Sequence, residues 1–304
     1  MEIAIIGLGK MGLGISKRLI KKGHTVFGYD SEWGNSDYSK NNINGSSNLD
    51  DLINKFSQDS KKIIWVMVPS GDPTKSTISK LKTLLSKKDI VIDGGNSFYK
   101  DSMKNSIELS EKNIYLLDSG TSGGVWGEEE GYCLMVGGNK NAYDHCDSIF
   151  KSLATDGKGY GYMGPSGSGH FVKMIHNGIE YGMMQSMAEG MEILHEKEEF
   201  NLDLAKITSL WQHGSVVRSW LLDLLNNSLM EDSELSNVAP YVEDSGEGRW
   251  TIKEGIDLDV PTHAITSSLY SRFYSRRNDS FGFKILASLR NQFGGHSIKK
   301  VNKG

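Results

Sequence analysis

The chain has 304 residues, 38% hydrophobic and 24% charged, with a formal net charge of −4. That length suits about two domains, and the mildly acidic, well-mixed charge excludes a basic footprint for nucleic acid and any single-sign tail. The only two cysteines, Cys133 and Cys146, form no disulfide framework and lack metal-ligand spacing, so a reducing cytoplasm and no metal are expected. The start, MEIAIIGLGKMG, is not a secretory signal, and no apolar run nears the roughly 20 residues of a membrane span, so no membrane partner is expected.

The first half alternates short β-rich runs with amphipathic segments. Strands are expected over 2–6, 25–29, 62–68, 89–93, 114–118 and 132–136, with helices over 12–22, 74–85 and 100–112. The apolar runs hardly alternate, as in strands buried on both faces. Strand–helix alternation of this kind gives an α/β fold with a Rossmann-type, doubly wound, mainly parallel sheet. The polar stretch 31–47 is expected to be a surface loop. A breaker cluster, Gly164-Pro165-Ser166-Gly167-Ser168-Gly169, closes this half. Helical patterns follow over 171–198, 202–211, 217–229, 262–276 and 281–293. The expected organisation is a dinucleotide-binding domain, 1–165, then an all-helical domain, 166–304.

Gly7-Leu8-Gly9-Lys10-Met11-Gly12 has the form G-x-G-x-x-G between the first strand and the first helix. Glycines there allow a tight turn and let a pyrophosphate approach backbone N–H groups at a helix N-terminus. Asp30 ends the second strand, where a carboxylate accepts the ribose hydroxyls of NAD and repels the extra phosphate of NADP. No Arg or Lys follows until Lys40, so NAD is the expected cofactor. The plainer alternatives are a glycine turn without a ligand and an Asp serving as a turn residue.

The segment HFVKMIHNGIEYGMM, from His170 to Met184, raises a different question. At about 100° per residue, Lys173, His176, Asn177, Glu180 and Tyr181 share an arc of roughly 140°. Val172, Ile175 and Ile179 point elsewhere and are expected to anchor the helix in a core. A solvated face is the ordinary reading of such an arc. His, Asn and Tyr suit it poorly, however, and a buried Lys and Glu facing a cleft suit acid–base work. The run Met183, Met184, Met187, Met191 is expected to pack in the core. Trp211, Trp220 and Trp250 are expected in core or interface.

Here the sequence resembles the decarboxylating 6-phosphogluconate dehydrogenase family. The resemblance rests on residues 169–181 (GHFVKMIHNGIEY), on Asp93-Gly94-Gly95-Asn96-Ser97, on Ser119-Gly120-Thr121-Ser122-Gly123-Gly124, and on Arg290-Asn291-Gln292-Phe293-Gly294-Gly295-His296. It covers nearly the whole chain, which is similar to the short, NAD-preferring branch. The resemblance implies Lys173 as general base and Glu180 as the acid that protonates an enediol. A lysine can serve as base only where burial or a cationic neighbour favours its neutral form. It implies substrate contacts from Asn96, Ser122, Gly123, Gly124, His176 and Asn177, and phosphate contacts from Tyr181, Arg272, Arg290 and His296. Val68, Pro69, Ser70 and Asn96 join the glycine loop around the cofactor. A substrate-binding and dimerising helical domain, and a homodimer whose C-terminal tail reaches the other subunit's site, are implied too.

One departure stands out. In Asp244-Ser245-Gly246-Glu247-Gly248-Arg249-Trp250, Ser245 occupies the place of a phosphate-binding Lys of the family's long members. Arg249 is expected to be structural rather than a replacement. Two alternatives therefore stay open: an NAD-dependent dehydrogenase of another β-hydroxy or sugar acid without phosphate, and a nucleotide-binding regulator without activity.

Overall fold

The computed structural model describes residues 1–32, 41–58 and 60–300. The chain divides into two compact units, Met1–Asn177 and Gly178–Gly304. The first is built on strands β1 (Glu2–Ile6), β2 (Thr25–Tyr29), β3 (Asn44–Gly45), β4 (Ile63–Val66), β5 (Ile90–Asp93), β6 (Tyr115–Ser122), β7 (Cys133–Gly138) and β8 (Tyr160–Gly164). Their spatial order is β3-β2-β1-β4-β5-β6-β7-β8. Every pair is parallel except β6 with β7. Helices α1 (Lys10–Lys21), α2 (Leu49–Asn54), α3 (Asp72–Leu84), α4 (Tyr99–Ser110), α5 (Gly127–Glu130), α6 (Lys140–His145) and α7 (Asp147–Leu153) connect them. The chain leaves β1 toward β2 on one side and returns to β4 on the other. A crevice beyond the strand ends at that reversal is the standard place for a ligand in such sheets.

Both faces of the sheet are covered. Ile3 and Ile5 of β1 join Ile63 and Trp65 of β4 in one core, while Ala4, Ile6, Ile64 and Val66 join the other. This is the period-2 alternation of a strand with apolar partners on each side, and it explains the unbroken apolar runs.

Helix α8 (Ser168–Glu196) begins inside the expected breaker cluster and runs from the first unit into the second. The second unit continues with α9 (Leu204–Trp211), α10 (Trp220–Glu231), α11 (Glu247–Asp257), α12 (His263–Ser275) and α13 (Phe281–Gly294). No helix of the described residues is long and apolar enough to cross a membrane.

The differences from expectation are local. Strands 114–118 and 132–136 both lengthen, to Ser122 and to Gly138, because they pair antiparallel with each other from Leu117 with Gly138 to Ser122 with Cys133. The expected strand 62–68 stops at Val66. The glycine-interrupted β8 and the two-residue β3, inside the stretch expected as a loop, were not anticipated. Nor were α2, α6, α7 and α11. Of these, α2 and α6 carry a readable start, because Asn48 accepts from the N–H of Asp51 and Asn139 from that of Ala142. The methionine run is corrected in its first half: Met184 is 41% exposed and Met183 is exposed beside it, whereas Met187 and Met191 are half-buried. Trp220 is exposed as well, rather than set in a core.

Candidate active site

The glycine loop does what its spacing requires. Gly7 has φ +92° and donates its N–H to the Tyr29 carbonyl at 2.9 Å, turning the chain from β1 into α1. A Cβ on Gly12 would collide with the Gly7 carbonyl, whereas one on Gly9 would meet nothing within 4 Å. The open side of Gly9 is therefore where a ligand can come close. Gly9 is also the residue before α1, which has no side-chain cap and no acid in its first turn. Its N–H groups and the positive end of its dipole are left for an anion.

Asp30 is held at the adjacent strand end. Its Oδ2 accepts the Leu8 N–H at 2.7 Å and its Oδ1 accepts the Glu32 N–H at 2.9 Å. Gly7, Gly9, Lys10, Met11, Gly12, Asp30, Val68, Pro69, Ser70 and Asn96 line one cleft of about 850 Å³. Leu8 is buried and stands outside the lining, so its part is to fix the Asp30 carboxylate. Lys80, which no motif marked, lines the same cleft from α3 and faces Asp50 at 3.8 Å. Lys40 lies outside the described residues. A pyrophosphate against the capless helix and a ribose against Asp30 fit this cleft, so its residues suit NAD.

At the start of α8, Lys173 is only 9% exposed. Its Nζ donates to Asn177 Oδ1, and His176 Nδ1 donates to the same oxygen at 3.2 Å. One amide oxygen thus aligns two of the expected substrate-binding groups and the expected base. The backbone of β6 passes directly beneath, where a Cβ on Gly120 would collide with Lys173 Cβ. Two residues further, β6 ends at Ser122 and turns through Gly123 (φ +126°) and Gly124 (φ +54°). Asp118, also on β6, was not marked by any motif. It is fully buried and accepts backbone N–H groups from Gly167 and His170 at the head of α8.

In the second unit, Ile179 corrects the expected anchor, being 54% exposed. Glu180 is half-buried, and Tyr181, only 5% exposed, is the side chain here that is set into the structure. Its hydroxyl accepts the Ser245 N–H at 3.0 Å and lies 3.2 Å from Ser245 Oγ. The Arg272 guanidinium stacks over the Tyr181 ring at 3.6 Å and donates to the Glu243 carbonyl at 2.8 Å. Tyr181, Ser245 and Arg272 therefore form one bonded group.

Asp244, next to it, takes Arg249 at 2.8 and 2.9 Å and Arg276 at 3.0 Å. The hydrogen bonds from Arg249 hold the Asp244 carboxyl well below the usual carboxylate range, against the opposing pull of burial. Arg249 is thus a structural partner of Asp244, as expected, and also lies over Phe273 at 4.5 Å. Arg290 and His296 are exposed, on and just beyond α13, and the bonds joining Tyr181, Ser245 and Arg272 do not include them.

A glycine cradle on an uncapped helix, an acid at the neighbouring strand end, and a buried lysine on the helix that follows the sheet define a nicotinamide-dependent dehydrogenase of the Rossmann type. Residues 2–164 match the family model of the NAD binding domain of 6-phosphogluconate dehydrogenase, and residues 169–303 match that of the 6-phosphogluconate dehydrogenase C-terminal domain. The chain belongs to the 6-phosphogluconate dehydrogenase family.

It is 42% identical over 301 residues to a candidate 6-phosphogluconate dehydrogenase of Bacillus subtilis, covering 99% of this chain and 100% of that protein. It is 39% identical over 302 residues to the NAD(+)-dependent, decarboxylating 6-phosphogluconate dehydrogenase of Haloferax volcanii, covering 99% of each. The solved 6-phosphogluconate dehydrogenase of Plasmodium falciparum superposes with a TM-score of 0.82 at 27% identity, over 100% of this chain and 67% of that one. A 3-hydroxyisobutyrate dehydrogenase of Salmonella typhimurium, 16% identical with a TM-score of 0.73 over 89% of this chain and 92% of its own, shares the fold.

Proposed function

We propose that the chain oxidises and decarboxylates 6-phosphogluconate to ribulose 5-phosphate and CO2, reducing NAD. The observation that carries this reading is Lys173, buried against β6 and aligned by Asn177, on a chain that also holds the dinucleotide cleft. When bound, NAD supplies the hydride acceptor. The glycine loop and the head of α1 hold its pyrophosphate, Asp30 its ribose, and Val68, Pro69, Ser70 and Asn96 line the rest of its cleft.

Lys173, as a neutral amine, takes the proton of the C3 hydroxyl while hydride leaves C3. The resulting β-keto acid loses its C1 carboxylate as CO2, with the electron pair passing to the C3 oxygen as an enediol. Protonated Lys173 returns its proton to that oxygen, and Glu180 then protonates C2, which becomes C1 of ribulose 5-phosphate. His176, Asn177 and Asn96, with the small residues Ser122, Gly123 and Gly124, bind the carboxylate and hydroxyls. Tyr181 and Arg272 take the phosphate.

We further propose a cytoplasmic homodimer in which Arg290 and His296 complete the phosphate site of the other subunit. Helix α13 supports this, since Phe281, Phe283, Leu286, Leu289 and Phe293 are all exposed along it. The two-part organisation keeps the proposed roles, with cofactor binding in 1–165 and substrate binding and dimerisation in 166–304.

A second reading has an observation in its favour. Ser245 brings no charge to the phosphate site, and Asp244 already occupies Arg249 and Arg276. That arrangement favours a sugar or β-hydroxy acid without phosphate. The test is the initial rate with 6-phosphogluconate, with NAD and NADP in parallel, while CO2 is measured. CO2 formed in step with NADH supports the first reading. NADH without CO2 moves the protein to simple hydroxyacid oxidation. No turnover with the phosphorylated acid, but turnover with gluconate-like acids, selects the second reading.

A further inference from the structure

The head of α8 is held in an unusual way. Gly167, the residue before the helix, has no side chain to cap it, and the hydroxyls of Ser166 and Ser168 make no hydrogen bond. The capping is done instead from another element. Asp118 of β6 accepts the Gly167 N–H with Oδ1 at 2.7 Å and the His170 N–H with Oδ2 at 2.9 Å. Its carboxylate therefore performs, from 50 residues away in the chain, the task usually left to a local Ser, Thr, Asp or Asn.

The helix head is pressed onto the sheet at the same place. A Cβ on Gly169 would collide with the carbonyls of Asp118 and Met135, and one on Gly120 with Lys173 Cβ. The His170 ring is buried and bonds Ser102 on α4 through Nδ1 at 2.7 Å. Burial pushes the Asp118 carboxyl up, while the nearby His170 and the two N–H bonds oppose that shift. A buried carboxylate is costly to keep, and the two donors and the positive helix end are what offset the cost.

We infer that Asp118 is a positioning residue for Lys173: it pins the first turn of α8 to β6 and so sets where the lysine amine meets the reacting hydroxyl. Lys173 lies about one turn beyond His170, whose N–H Asp118 holds, and only Ser119 separates Asp118 from Gly120 beneath the lysine. A shift at the cap therefore moves the backbone that carries Lys173, whose amine is held in turn by Asn177 on the same helix. The inference rests on the reading of Lys173 as the base.

The test is Asp118→Asn in the full-length enzyme. The amide keeps the shape but offers one acceptor, turning an N–H donor toward the second N–H. The expected kcat falls by about 30-fold, because misplacing a base by a fraction of an ångström loses the reactive alignment. KM for the substrate and Kd for NAD should stay within about threefold. The kinetic isotope effect with substrate deuterated at C3 should rise, since hydride transfer then limits the rate more strongly. In a Lys173→Met background the same change should cost nothing further, as for groups that act as a unit.

A cap that merely stabilises the fold predicts otherwise: an unchanged kcat once corrected for the folded fraction, an unchanged isotope effect, or an equal loss with and without Lys173. Any of these overturns the inference. Should Asp118→Asn fail to fold, Gly120→Ala displaces the same lysine from below and must give the same kcat-specific loss. The acylation rate of Lys173 by acetic anhydride, read by peptide mass spectrometry against surface lysines, separates the two claims. Wild-type protein inert toward 6-phosphogluconate sinks the functional reading. A Lys173 acylation rate unchanged by Asp118→Asn sinks the positioning role, whatever the substrate.

Discussion

The two units of the molecule differ in how completely they bury themselves. In the first, strands β1, β2, β4, β5 and β6 each feed two cores, and side chains as large as Trp65, Tyr132 and Phe150 are fully enclosed. In the second, the fully buried hydrophobic side chains among the described residues are Tyr181, Leu222, Leu229 and Leu269, while α13 buries none of its residues. A layer of helices that encloses so little apolar surface has surface left for association. The lesson is a division of labour. The cofactor cleft sits on a scaffold that is rigid by itself. The proposed phosphate site in the second unit is built from side chains such as Tyr181, Arg272 and Ser245, which hold one another.

The largest effect should come from Lys173, near the end of the first unit. Lys173→Met is expected to lower turnover by about 10⁴-fold or more, removing the proposed base altogether. NAD affinity should stay within about twofold, because the glycine loop and Asp30 do not touch that lysine. Calorimetric titration with NAD beside steady-state rates checks both, and a loss of NAD affinity matching the loss of rate would break the assignment.

Next comes the exposed helix. Leu286→Glu on α13 places a charge in the proposed interface and should weaken self-association by about 100-fold. Sedimentation should show the variant shifted toward monomer relative to the proposed wild-type dimer, with NAD binding retained by the first unit. A wild-type sedimentation profile would mean that the apolar stripe of α13 serves something other than a second copy.

A smaller effect concerns cofactor choice. Asp30→Ala removes the carboxylate from the strand end and also releases the Leu8 N–H. The ratio of kcat/KM for NAD over NADP should narrow by about tenfold, the scale of one hydrogen-bonded or repelled charge. An unchanged ratio would assign the preference elsewhere, with Lys80 in the same cleft the first residue to examine.

What the sequence made legible follows the same division. The strands of the doubly covered sheet were readable because burial on two faces leaves a period-free apolar run, as in EIAII and in the IIWV of β4. The glycine loop and Asp30 were readable because their spacing is local. The second half was harder, because helical periodicity does not say which stripe is covered. Ile179, Met183 and Met184 of α8 read as core yet stand exposed, since a neighbouring helix rather than composition decides burial. Asp118 and Lys80 carried no local signal at all. Their places arise from residues distant in the chain, since Asp118 bonds Gly167 and His170 of α8, and Lys80 lines the same cleft as the loop at Gly7. Only a topology could have placed them.

The smallest predicted effect tests whether the second unit has a polar substitute for the core it lacks. Asp244 joins Arg249 and Arg276, and thereby ties α11, α12 and the loop before α11 together. Its carboxyl is depressed in the folded chain, chiefly by the Arg249 hydrogen bonds. A depressed folded pKa means that the folded state binds the proton less readily than the unfolded one. The stabilisation is then fully present above the unfolded value near 4 and is lost as pH falls toward the lower folded value. Asp244→Asn should therefore lower the melting temperature at pH 7 by a few degrees, about what one partly exposed charge network is worth. The gap between the two proteins should shrink steadily below about pH 4. A gap that stays constant down to pH 2.5 would show that Asp244 acts through shape and not through charge, and the second unit would then owe its cohesion to the apolar contacts of Tyr181, Leu222 and Leu269 alone.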